Sequence, residues 1–182
     1  YETDEKIILH TTNRLSAFDR HLTNIPYKGE VLTQTSLWWF NNTNHIVPNY
    51  VLENPHPTVI VGKKCDVFPI EFVMRAYLTG STNTSIWTHY KNGSRNYCGF
   101  ELKDGMKKNQ KLENVILTPT TKSDVHDEPL TLSDIVSKGY MNKEDLDICE
   151  KYAYELFNFS QNEVAKKGLI LVDTKYEFGK DK

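Results

Sequence analysis

FPIEFVMRAYLTGS, residues 68–81, is the stretch on which the fold turns. Residues 65–74 read as a strand: Val67, Ile70 and Val73 are β-branched and Phe68 and Phe72 are aromatic, types that suit a pleated, half-buried surface. Arg75 then stands at the end of an apolar run, where a planar guanidinium suits a carboxylate or a phosphate. Thr79-Gly80-Ser81 is a small, hydroxyl-bearing turn whose backbone N–H groups can face an anion. A structural Glu71–Arg75 pair beside an ordinary turn fits the same residues, so the stretch alone leaves both readings open.

Upstream, residues 59–61 form another strand, with Gly62-Lys63-Lys64 as the bend, and NPHPT at 54–58 is a Pro-punctuated turn. Residues 6–12 are strand-like and 14–19 a polar connector. Residues 33–40, TQTSLWWF, read as a helix with Leu32, Thr35, Ser36 and Trp39 at helical spacing, and the trio Trp38, Trp39 and Phe40 reads as core rather than a base-stacking platform.

Downstream, residues 92–110 gather glycine, asparagine and lysine and predict a long loop or ribbon, and 118–127 continue as extended polar chain. Ser133 can cap a short helix that stops at Gly139. Asn142 can cap a longer one, with Glu144 and Asp145 in the first turn where the helix dipole favours acids. Leu146, Cys149, Ala153, Leu156, Phe157 and Val164 share a helical face, and Gly168 suits a left-handed stop. Residues 169–173 predict a buried apolar strand ending in an acid. The mixture predicts α+β architecture with mostly antiparallel sheets.

Composition narrows the classes. Over 182 residues, 22 Lys and Arg nearly balance 24 Asp and Glu, so no overall field favours nucleic acid or an anionic membrane. Cys65, Cys98 and Cys149 are far apart and include no CxxC pair, which argues against a disulfide framework or a zinc site. No apolar run is long enough to cross a bilayer, and the chain reads as intracellular.

In Asp173-Thr-Lys175-Tyr-Glu177-Phe-Gly179 the charged residues lie at i, i+2 and i+4, on one face if the segment is a strand. Two carboxylates flanking an ammonium need a metal ion, an anionic ligand or water as compensation; an exposed strand edge is the alternative. Arg14-Leu-Ser16-Ala-Phe-Asp19 and Thr118-Pro-Thr-Thr121-Lys122, with His126-Asp127-Glu128, are further loop-like clusters dense in hydrogen-bonding groups, and each also fits a solvated turn.

The two long stretches, in this order, resemble those of the SAICAR synthetase (phosphoribosylaminoimidazole-succinocarboxamide synthase) family. RLSAFD, IPYKGEVLTQTS, NHIVPN, TNTSIWTHYKNG and LTPTTK with HDE extend the resemblance over essentially the whole chain, and it is strongest to plant and bacterial forms. It implies a two-lobed α+β fold with an ATP cleft between lobes: a partial N-terminal nucleotide-binding lobe at 1–74 and a partial C-terminal substrate-binding lobe at 75–182. The implied activity is an ATP-dependent carbon–nitrogen ligase of de novo purine synthesis. It joins L-aspartate to 5-amino-1-(5-phospho-D-ribosyl)imidazole-4-carboxylate through an acyl phosphate, with release of ADP and phosphate.

Carried over residue by residue, the resemblance gives Lys175, Glu177 and Asp173 the catalytic roles, with Glu177 and Asp173 also as Mg²⁺ ligands. Arg75, Ser81, Ser16, Asp19, Thr121, Lys122, His126 and Asp127 fall at substrate-binding positions. Lys64, Asp66, Phe68 and Glu71 fall on the nucleotide side. ATP and Mg²⁺ are the implied cosubstrate and metal, and a homo-oligomer is compatible with the family. A cytoplasmic location is implied, or a plastid one where a targeting segment precedes Tyr1. Two family segments, a glycine-containing hairpin over the ATP phosphates and a Thr-Pro-Asp-Ser-Ser-Arg stretch after KYEFG, have no counterpart here. They lead to the expectation of a chain cut from a longer protein at both ends, the alternative being a non-catalytic nucleotide-binding domain.

Overall fold

The computed structural model describes residues 1–18, 20–122 and 128–181, and they form two compact units, residues 1–66 with 180–182 and residues 67–179. The division falls between Asp66 and Val67, before the strand that runs from Ile70 to Leu78.

The first unit holds β1 (Lys6–His10), β2 (Arg14–Ala17), β3 (Arg20–Asn24), α1 (Lys28–Thr43), β4 (Val51–His56) and β5 (Val59–Lys63). Its sheet runs β1-β5-β4, antiparallel throughout. Asn54 accounts for the tight turn between β4 and β5, because its amide donates to the carbonyls of His56 and Val59, each at 2.7 Å. Residues 14–17 of the predicted polar connector are instead the strand β2, which pairs with β3. Helix α1 is longer than predicted and buries Gly29, Thr33 and Thr43, not the face of Leu32, Thr35, Ser36 and Trp39. Trp38 is 48% exposed and meets Trp39 edge to face, so this trio is not a closed core.

The chain passes between units at β6 (Asp66–Val67) and again at β13 (Gly179–Lys180). The second unit contains β7 (Ile70–Leu78), α2 (Ile86–Lys91), β8 (Asn96–Tyr97), β9 (Phe100–Glu101), β10 (Gln110–Leu117), β11 (Thr120–Thr121), α3 (Leu132–Ser137), α4 (Lys143–Ala165) and β12 (Asp173–Tyr176). β7 is the hub: β10 and β11 pair with it antiparallel on one side, and β12 pairs with it antiparallel as well. Both sheets are antiparallel and mixed with helices, as the α+β expectation required.

The second unit's core lies between one face of β7 and the helices α3 and α4, where Ile70, Phe72, Met74 and Ala76 pack with Ile135, Leu146, Cys149, Ala153 and Phe157. Asn142 caps α4 through its side chain, and Gly168, at φ +70°, ends it. Thr131, not the predicted Ser133 two residues later, caps α3 in a capping box with Asp134. Residues 92–110 are not an open loop: Tyr97 and Leu102 are buried with Leu78, Ile86 and Leu112 in a second cluster around the short β8–β9 hairpin. The apolar run 169–172 precedes β12 rather than forming it, and Leu169 and Ile170 are 62% and 70% exposed. Cys65, Cys98 and Cys149 form no disulfide among the described residues.

Candidate active site

Strand periodicity builds the site. On β7 the residues Ile70, Phe72, Met74, Ala76 and Leu78 face the core, which leaves Glu71, Val73, Arg75 and Tyr77 on the opposite face. The β12 register sets Asp173 opposite Arg75 and Lys175 opposite Val73, with Thr174 and Tyr176 turned the other way over Met74 and Phe72. Directly paired residues share a face of the sheet, so Asp173 and Lys175 lie on the charged face of β7, and Glu177 follows just past the end of β12. Across β7, Thr120 of β11 pairs with Glu71.

Every charge on this surface has a counter-charge. Lys175 donates to Glu71 Oε1 at 2.6 Å, and Glu71 Oε2 accepts from the Thr120 hydroxyl at 3.2 Å. Glu71 is 6% exposed, so without this cation its ionised form would be costly. Arg75 donates through Nε to Thr118 Oγ1 at 2.9 Å and lies 3.7 Å from Asp173 Oδ2, a separation for an ion pair and not a hydrogen bond. Lys122 donates to Glu177 Oε2 at 2.6 Å. Cations and carboxylates therefore alternate along the face, Asp173 and Arg75 at one end, Lys175 and Glu71 in the middle, Glu177 and Lys122 at the other. Arg75 thus faces Asp173, Lys122 faces Glu177, and Glu71 faces the ammonium of Lys175.

The Arg75 end is also walled by residues that the sequence did not single out. Burial raises the Tyr97 phenol above its usual range and pushes the Cys98 thiol up to about 12, with the Arg75 charge opposing both shifts. Tyr97 is fixed by donating to the Thr84 carbonyl at 2.7 Å. Nothing in the local sequence marks them, since they reach Arg75 from a hairpin of two-residue strands.

Glu71, Arg75, Lys122, Asp173, Lys175 and Glu177 are thus brought together. Thr121 adjoins them and pins the chain beyond, accepting from the Glu128 N–H at 3.0 Å and donating its own N–H to the Glu128 carbonyl at 3.0 Å. Gly80 has φ +113°, and a Cβ there would lie 2.4 Å from Ser85 Cβ, so the turn before Ser81 requires glycine. Ser81 is exposed past the end of β7, and Phe68 is half-buried before its start. Ser16, on β2, Lys64 and Asp66 belong to the first unit. Asp19, His126 and Asp127 lie outside the described residues.

Among the described residues no cluster of three or more His, Cys, Asp or Glu is placed to hold a metal ion. Asp173 and Glu177 are the two carboxylates of the row expected from the resemblance to hold a metal ion. Either carboxylate alone fits a hard cation of the Mg²⁺ kind, which takes one or two protein oxygens and completes its shell with phosphate and water.

The second unit is an α+β unit whose central strand carries a packed core on one face and a row of paired, partly exposed charges on the other. The chain belongs to the SAICAR synthetase family, whose model matches residues 1–182. It is 57% identical over 180 residues to a chloroplastic phosphoribosylaminoimidazole-succinocarboxamide synthase of Arabidopsis thaliana, covering 99% of this chain and 44% of that protein. To the synthase of Legionella pneumophila (strain Lens) it is 52% identical over 181 residues, covering 100% of this chain and 58% of the other. The chain spans about half the length of these curated relatives. Its fold matches the Saccharomyces cerevisiae SAICAR-synthase complexed with SAICAR at a TM-score of 0.84, with 25% identity over 98% of this chain and 64% of that one. A SAICAR synthetase (Type-2) in complex with ADP has the same fold, at a TM-score of 0.80 and 23% identity over 100% of this chain and 71% of that one.

Proposed function

We propose that this chain is part of an ATP-dependent ligase that joins L-aspartate to 5-amino-1-(5-phospho-D-ribosyl)imidazole-4-carboxylate, giving the succinocarboxamide with ADP and phosphate. The observation that carries the reading is the row of alternating charges on β7 and β12, seen in a member of this family. The complexes of related structures with ADP and with SAICAR support a nucleotide and a succinocarboxamide as ligands of such a fold.

The reaction makes two demands on these residues. First, the imidazole carboxylate attacks the γ-phosphorus of ATP and ADP leaves; cations must hold the meeting anions and offset charge on the transferred group. Lys175 takes that role, since an ammonium has three N–H donors and its side chain is 48% exposed. Arg75 and Ser81 hold the imidazole nucleotide, and Ser16, Asp19, Thr121, Lys122, His126 and Asp127 make further substrate contacts. Lys64, Asp66, Phe68 and Glu71 belong to the nucleotide side, where Glu71 also holds Lys175 in place.

Second, the aspartate amine attacks the acyl phosphate, the C–O bond to phosphate breaks, and the amine proton passes to a carboxylate. Asp173 and Glu177 are the bases within this row, and one of them is also the Mg²⁺ ligand of the reading. When bound, the metal would offset charge on the nucleotide phosphates. The reaction takes place in the cytoplasm, or in a plastid as the name of the Arabidopsis relative indicates for that protein.

With the full-length protein, ADP release is expected to require both L-aspartate and the imidazole carboxylate nucleotide. ADP formed with neither, or succinocarboxamide formed without ATP, overturns the reading.

A further inference from the structure

The chemistry proposed above uses the charged ends of Arg75 and Lys175 but leaves unexplained a buried hydroxyl behind the guanidinium. Thr118 has no exposed surface. Its backbone N–H and its hydroxyl both donate to the Val73 carbonyl, at 2.8 and 3.1 Å. The hydroxyl has a single proton, so it can meet Arg75 only as an acceptor, and Arg75 Nε–H points to it at 2.9 Å.

This acceptor is neutral. It fixes the plane of the guanidinium without cancelling its charge, whereas Asp173, at 3.7 Å, is too distant to set the orientation by a hydrogen bond. A threonine is not required here for packing: valine has the same branching and nearly the same volume and would keep the backbone bond to Val73. What valine would lose is the bond to Arg75 and the hydroxyl's second bond to the Val73 carbonyl, which keeps its backbone donor.

We propose that Thr118 is a positioning residue, which holds Arg75 so that its terminal N–H fork meets an anionic group of the imidazole nucleotide. The proposal rests on the reading of Arg75 as a contact for that substrate. Thr120, two residues on, serves as the internal comparison: its hydroxyl acts on Glu71 and through it on Lys175, and it makes no bond to Arg75.

The test uses the full-length enzyme with T118V, T118S, T120V and R75K. T118V is expected to raise KM for the imidazole nucleotide by about 10-fold or more, the worth of a hydrogen bond to a charged group, with KM for ATP and for L-aspartate close to the parent's. T118S, which keeps the acceptor, restores the parent value, and T120V lowers kcat instead. In ¹⁵N-edited NMR the Arg75 Nε–H signal, assigned by its absence in R75K, exchanges slowly in the parent and in T118S and is lost in T118V.

A parent-like Nε–H signal in T118V overturns the proposal, and so does a lost signal with unchanged KM. If R75K itself leaves every KM unchanged, the reading of Arg75 fails; a crippled R75K beside a parent-like T118V overturns the positioning role alone. Should T118V not fold, T118A removes the same hydroxyl with less steric demand and is judged by the same readouts.

Discussion

The two faces of β7 make opposite demands on the same nine residues. One presents Ile70, Phe72, Met74, Ala76 and Leu78, all buried, and is filled by apolar neighbours. The other presents Glu71 and Arg75, and gains stability only to the extent that Lys175, Thr120, Thr118 and Asp173 offset the loss of water. The difference teaches where evolution of a site is cheap. A change on the core face acts on folding whatever chemistry the protein performs, while a change on the charged face removes groups whose burial was costly to begin with. A slip of one residue in the pairing of β12 would exchange the faces and destroy both, so the apolar side of the strands sets the register for the charged side.

The sharpest way to break this comparison is Phe72→Ala. Phe72 is fully buried and meets Phe178 edge to face at 5.1 Å, so its loss is expected to cost about 3–5 kcal/mol of stability, the range for a large buried aromatic. Chemical denaturation measures it; a cost below about 1 kcal/mol would mean that the core has no need of β7. Next in size is Lys175→Ala on the opposite face. Its expected effect is a fall in kcat on the order of 10²–10³, as for removal of one preorganised charge-stabilising donor, together with a loss of stability, because the buried Glu71 carboxylate is left without its cation. Near-parent turnover in Lys175→Ala would leave the charged row as a stable surface and nothing more.

How much of this was legible depended on whether a segment announces its own surroundings. Helix α4 did, because Asn142, Glu144, Asp145 and Gly168 are local signals and its apolar face has helical period. The charged stretch of β12 was also legible, since period two fixes which side chains share a face before any partner is known. The partners were not: Lys122 meets Glu177 and Thr118 meets Arg75 across 55 and 43 residues of chain, and only strand pairing brings them together. The pairing of β2 with β3 was missed because β3 is exposed along its whole length, leaving no alternation to read. The apolar run at 169–172 misled in the reverse sense, for hydrophobicity says that a segment can be covered and not that it is. Family resemblance supplied the roles of residues, which pairing geometry alone leaves open.

The finest test of the two-face picture is a titration on β12, where Lys175 and Tyr176 are neighbours in sequence but point to opposite sides. Burial beside the core pushes the Tyr176 phenol from 10.0 up to about 12, with a hydrogen bond to Ser160 acting in the other direction. Below pH 10 the phenol is protonated in both folded and unfolded chains and contributes no slope. Between 10 and about 12 the unfolded chain gives up this proton first, so stability falls as pH rises through that window. Tyr97 and Cys98 are raised by burial too and add slopes of the same sign. The quantity to measure is therefore the difference between the parent and Tyr176→Phe, followed as denaturant midpoint against pH. The variant is expected to lose less stability than the parent across the window and to match its pH dependence below it. Parallel curves would show that water reaches the Tyr176 hydroxyl, and that the core face of β12 is less closed than that of the β7 strand it pairs with.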